Sequence, residues 1–198
     1  GSTQANQFTN MNVSFRIATA LPENGKIKIT LDTDFGLGNI DATDIFTPDL
    51  NGSLTVSAGS GTITVTRGSG ATQKAANSDI TLNIYDIKTP GSAQTTTDYT
   101  IQTLDSTNAV LNSATVAGTV ITSAGMSGAF VELDSRIASV PTTLHFNFSN
   151  LVALDANDKI KIQLDAGFNL TGITSSSGVI EFNSVSGGIT TSSSGSSI

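Results

Sequence analysis

Five aspartates, Asp32, Asp34, Asp41, Asp44 and Asp49, gather in one stretch of the chain. Carboxylate oxygens on a flexible loop are what Ca2+ takes as ligands, so Asp32, Asp34, Asp41 and Asp44 are the candidate metal ligands. Their spacing does not follow an EF-hand loop, and the plain alternative is a solvated acidic loop. A thinner set, Asp155, Asn157 and Asp158, stands later in the chain.

Other side chains offer less chemistry. His145 is the only histidine and there is no cysteine, so neither a zinc cluster nor a thiol or serine triad has its usual partners. In "TLHFNF" alternation turns His145 away from Leu144 and Phe146, toward solvent. Glycoside hydrolysis needs two carboxylates facing across a cleft, and nothing in the sequence selects a pair. Stacking on a sugar wants an exposed aromatic platform; tryptophan is absent, and Tyr85 and Tyr99 read as core residues. Lys26, Lys28, Lys159 and Lys161 invite the idea of an isopeptide bond. They fall opposite the isoleucine face, however, where lysines commonly guard a sheet edge. Four Asn-x-Ser/Thr sites, at Asn12, Asn51, Asn147 and Asn169, decide nothing in a chain so rich in Ser and Thr. No nucleophile, base and orienter can be nominated together, so the expectation is a protein that is not an enzyme.

The elements that would position these residues are strands. Period-2 alternation runs through "NVSFRI", "KIKITLD", "SLTVSA", "TITVTR", "ITLNIYDI", "YTIQTLD", "AFVEL", "TLHFNF", "KIKIQLD" and "VIEFNSV". Between them stand turn formers with a mechanism: Asn51-Gly52, Gly59 to Gly61, Pro90-Gly91, and Asp105 to Asn108. Short strands at this spacing predict an all-β sandwich. Hydrophobic residues make up 37% of the chain and charged ones 13%, enough to build a core and too few charges to suit exposed helices. A formal charge of −7 leaves no basic stripe for nucleic acid or an anionic membrane surface. No apolar run approaches the roughly 18 residues of a membrane span, and no signal-peptide pattern opens the chain. The leading Gly1-Ser2 reads as a cloning remnant, and the chain as an excised piece of something longer.

One decapeptide is written twice: "KIKITLDTDF" from Lys26 and "KIKIQLDAGF" from Lys159, with seven of ten positions identical and an offset of 159 − 26 = 133. The same offset pairs Val13 with Phe146, Phe15 with Phe148, Ala20 with Ala153, Leu21 with Leu154 and Leu37 with Leu170. Two amphipathic strands can resemble each other by chance, but a matching loop between them points to internal duplication. Further on, Gly52, Leu54, Val56, Gly61, Ile63 and Thr64 match Gly178, Ile180, Phe182, Gly187, Ile189 and Thr190 at an offset of 126, so the first copy holds 133 − 126 = 7 extra residues between Ile40 and Gly52. After Thr190 only "TSSSGSSI" remains, too short and polar for two core strands, while "AFVEL" stands ahead of the second copy with nothing comparable ahead of the first.

At "ALPENGKIKITLDTDF" and again at "ITLNIYDIKTPGSAQTTTDYTIQTLDSTNAVL" the chain resembles the immunoglobulin-like modules strung along large microbial cell-surface proteins of adhesin, S-layer and filament type. The resemblance covers about residues 9 to 120 as one unit and 128 to 190 as a second, partial one. Asp32 and Asp165 depart from it, standing where an apolar residue or proline is expected. It implies an immunoglobulin-like β-sandwich, complete over 1–120 and partial over 121–198, working outside the cell as a rigid spacer, adhesive stalk or filament-forming unit. It implies no cofactor beyond the Ca2+ considered above. The expected partners are neighbouring repeats, copies of the same protein or a surface glycan. A chain cut out of step with its repeats would expose ladder edges, and one copy could then donate a strand to the next. The alternative function is a module that binds carbohydrate or Ca2+.

Overall fold

A computed structural model describes residues 1–150 and 159–170. By compactness the chain divides into Gly1–Ala153 and Leu154–Ile198. That division follows spatial contacts, whereas the sequence boundary at 120/121 follows the repeat offset.

The first unit is all-β. Its strands are β1 (Phe8–Arg16), β2 (Lys26–Thr30), β3 (Ile45–Phe46), β4 (Leu54–Gly59), β5 (Thr62–Arg67), β6 (Asp79–Lys88), β7 (Gln94–Thr95), β8 (Tyr99–Leu104), β9 (Val110–Val116), β10 (Val120–Ile121), β11 (Met126–Leu133) and β12 (Leu144–Asn150). Five strands form one sheet in the order β4-β5-β2-β8-β9, and three form another in the order β1-β6-β3. All their pairings are antiparallel. The pairs β7 with β10 and β11 with β12 stand as separate two-stranded ribbons.

Alternation explains how the two larger sheets meet. Ile27 and Ile29 of β2, Ile63 and Val65 of β5 and Ile101 of β8 point one way; Val13 of β1 and Ile80, Leu82, Ile84 and Ile87 of β6 point back at them, and all join one hydrophobic cluster. Burying each such side chain fully contributes about 1.5–3 kcal/mol. The lysines and threonines of β2 take the other face, as the sequence predicts.

Turns hold the register. Between β4 and β5 only Ser60 and Gly61 intervene, since Gly59 pairs with Thr62, and both have positive φ, 49° and 71°. That is a primed two-residue hairpin turn, whose twist suits the flanking strands. A Cβ on Gly61 would press on the carbonyl oxygen of Leu31. Between β8 and β9 the carboxylate of Asp105 accepts from the amides of Thr107 and Ala109 and from the Thr107 hydroxyl, and Asn108 takes φ 72°.

One expectation is corrected, and one strand stands where alternation names none. Tyr85 is 40% exposed, because the register against β1 slips between Met11↔Ile84 and Thr9↔Ile87. Asp86 takes φ 58° at that bulge, and the extra residue swings Tyr85 outward before Ile87 returns to the core. Strand β9 is not announced by pattern: "VLNSATV" lacks alternation and stays largely exposed, because as an edge strand it is held by its ladder with β8.

The ribbon β11–β12 contains the expected strands "AFVEL" and "TLHFNF". His145 is solvent-facing, with its Nε2 3.0 Å from Asp134 Oδ1. In the second unit, Lys159–Phe168 keeps the alternation: Ile160, Ile162 and Leu164 are half-buried, while Lys159, Lys161 and Gln163 are exposed. Within it Gln163 takes part in a single β-bridge, and no ladder is described. The strand expected at "VIEFNSV", the set Asp155, Asn157 and Asp158, and the matches at offset 126 lie outside the described residues.

Candidate functional site

The acidic stretch begins where β2 ends. Leu31 is still in the core, so the next residue emerges at the rim, and Asp32 caps the turn that follows. Its Oδ1 accepts from the amide of Asp34 at 3.1 Å and its Oδ2 from the amide of Thr97 at 2.9 Å. These two backbone donors, Thr97 first, hold the Asp32 carboxyl below the ordinary carboxylate range. Asp34 in turn accepts from the Gln94 side chain at 3.0 Å. The turn closes with Phe35 N donating to Asp32 O, and Phe35 packs edge-on against Tyr99 with ring centroids 6.1 Å apart. An aspartate in place of an apolar residue or proline therefore has a structural role, tying the end of β2 to the segment that leads into β8.

Asp41 and Asp44 serve a different turn. Asp41 caps the short 3-10 helix Ala42–Asp44: its Oδ1 accepts from the Thr43 hydroxyl at 2.6 Å and the Thr43 amide at 2.7 Å, and Asp44 Oδ2 accepts from the Asp41 amide at 2.9 Å. The Thr43 hydroxyl, and then its amide, lower the Asp41 pKa. Asp49, from the same stretch, accepts from the amide of Thr81 at 2.8 Å and lies 3.8 Å from Lys74 Nζ. The structure thus distributes Asp32 and Asp34, Asp41 and Asp44, and Asp49 among three local networks. Among the described residues no group of three or more His, Asp or Glu side chains stands together as a metal site.

A residue that no motif singles out lies nearby. Arg67 is 2% exposed and ends β5 in phase with Ile63 and Val65, which is the signal the sequence offers for it. Its guanidinium donates to the carbonyls of Leu21, Pro22 and Thr72 and to the Asn51 side chain. Burial lowers its pKa. Nε finds no partner among the described residues. Neutral acceptors surround the cation and tie the loop after Leu21 to the loop before β6, a pinning role that a planar fork of donors suits.

A cavity of about 500 Å3 opens between the two sheets along β1. Met11 and Val13 line one wall; Ile29, Tyr99, Ile101 and Val116 line the other. Among the described residues β1 is the last strand of its sheet and β9 the last of the other, and the two layers part around this cavity. Among the described residues no helix is long and apolar enough to cross a membrane. Comparison with known protein families, curated proteins and solved structures returns no match.

Proposed function

We propose that this chain is a structural module of a larger extracellular surface protein. In this reading it comprises one complete immunoglobulin-like sandwich and a partial second repeat, and serves as a rigid spacer or filament-forming element without catalysis. The observation that carries the reading is that hydrogen bonds repeat at the same offset as the sequence. Asp32 Oδ1 accepts from Asp34 N and Asp32 O from Phe35 N; 133 residues on, Asp165 Oδ1 accepts from Gly167 N and Asp165 O from Phe168 N. In this reading Ser2 belongs to the repeat and not to a cloning remnant: Ser2 N donates to Thr9 Oγ1 and Gln4 N to Ser2 Oγ, as Ser135 N donates to Thr142 Oγ1 and Ile137 N to Ser135 Oγ. Tandem copies of one supersecondary unit make an extended array, and antiparallel ladders such as β1 with β6 give each unit stiffness. Its partners are adjoining repeats or other copies of the chain.

The test is mechanical. Pulling a chain tethered at both ends is expected to give a discrete unfolding peak, with about 3.6 Å of contour released per residue freed. Smooth extension at low force would refute a load-bearing spacer.

A further inference from the structure

We propose that the cavity beside β1 is a slot for one more strand, and that its occupant is an extended segment of the β11 type entering in line with Gly1 and running antiparallel to β1. This rests on the tandem reading above and deepens it by naming what completes the first sandwich.

Three observations converge. First, among the described residues β1 pairs on one side alone, and the layers beside it part around a cavity roughly three times the ~150 Å3 that one truncated core side chain leaves. Its walls are mainly apolar and belong to opposite sheets, as where a strand is wanting from a sandwich. Second, the other copy contains the strand. β12, the counterpart of β1, pairs antiparallel with β11, placing Val131 opposite Phe146 and Leu133 opposite Leu144. At the offset of 133, Phe146 corresponds to Val13 and Leu144 to Met11, and both of these line the slot. Third, the turn that delivers β11 into β12 is already built in the first copy. The bonds from Ser135 and Ile137 recur at Ser2 and Gln4. Asp134 N donates to Thr143 O, and its counterpart Gly1 lies so close to Asn10 that a Cβ there would collide with the Asn10 carbonyl oxygen. A strand joined ahead of Gly1 is therefore aimed along β1, with the Leu133 position opposite Met11 and the Val131 position opposite Val13.

The in-line source is favoured by the same turn. Residues Gly1 to Gln4 already hold the place of Asp134 to Ile137, so β11 from another molecule, running on into its own Asp134, would meet Gly1 at the end of the slot. A strand joined to Gly1 meets no such obstacle.

The experiment joins the sequence Met126–Leu133 directly ahead of Gly1 in the full chain. Expected are a thermal midpoint higher by about 5 °C or more and amide exchange across residues 10–14 slowed at least tenfold. A graft carrying aspartate at the Val131 and Leu133 positions should give neither. The free eight-residue peptide, added in millimolar excess to the intact chain, should slow the same amides without any change in covalent structure. Absence of protection with both graft and peptide would overturn the slot. Concentration-dependent association of the ungrafted chain that protects residues 10–14 would overturn the in-line source in favour of a second copy. A stabilising graft on a chain that extends smoothly under force would count against the spacer reading alone; a force-resistant chain indifferent to the graft would count against the slot alone.

Discussion

Lys26–Phe35 and Lys159–Phe168 are near-copies in sequence, and they share an alternating exposure pattern and an identical aspartate turn. They differ in what surrounds them. Ile27 and Ile29 are 0% and 1% exposed because β2 lies between β5 and β8 and faces β6 across the core. Ile160 and Ile162 are only half-buried, and no ladder is described for them. The turn is thus a property of the decapeptide, whose Asp side chain reaches an amide two residues on. The burial is a property of the neighbours, which no decapeptide carries.

The sharpest way to break this comparison is to truncate matched isoleucines. Ile29→Ala should destabilise by about 2–5 kcal/mol, since a fully enclosed site cannot collapse around the missing atoms. Ile162→Ala should cost less than about 1 kcal/mol. Chemical denaturation of both variants decides it, and equal losses would mean the two segments share one environment. Next in size, Arg67→Met should cost roughly 3 kcal/mol by leaving the carbonyls of Leu21, Pro22 and Thr72 without their donor. Arg67→Lys should recover only part, because a single ammonium cannot span the same acceptors.

A smaller effect separates the two aspartates. Asp32→Ala should lower the thermal midpoint by several degrees, while Asp165→Ala should shift it by about 1 °C or less. Asp32 also accepts from Thr97, which lies far along the chain, whereas the bonds described for Asp165 are local. Smallest is the pH dependence. Asp32, Asp41 and Asp105 all have folded pKa values below the ordinary 3.8. The stability they contribute is therefore complete above that ordinary value and is lost as pH falls through the lower folded values. Melts from pH 6 down to pH 2 should show the midpoint falling only in the acid limb, and Asp32→Asn should flatten that limb.

Much of the fold is legible because its strands are amphipathic. "KIKIT", "TITVT" and "ITLNI" state their inward faces by alternation, and Ser60-Gly61 and Asp105 to Asn108 state their turns by residues that tolerate positive φ or accept from local amides. Legibility ends where a neighbour decides. Alternation misplaces Tyr85 because a bulge adds one residue and reverses the phase. It misses β9 because an edge strand needs only a ladder, and "VLNSATV" has no apolar face to announce it. The acidic stretch looks like one cluster along the chain, and folding divides it among separate turns.

The residues alone determined the all-β character, the inward faces of β2, β5 and β6, and the turn from Asp105 to Asn108, because each depends on interactions between residues close in the chain. Tertiary structure alone decided which copy of the decapeptide is enclosed, that Arg67 is a buried tie between loops, and that, among the described residues, the two layers stand open beside β1. Those outcomes depend on which distant segments fill the space around a strand, and pattern along the chain does not encode that occupancy.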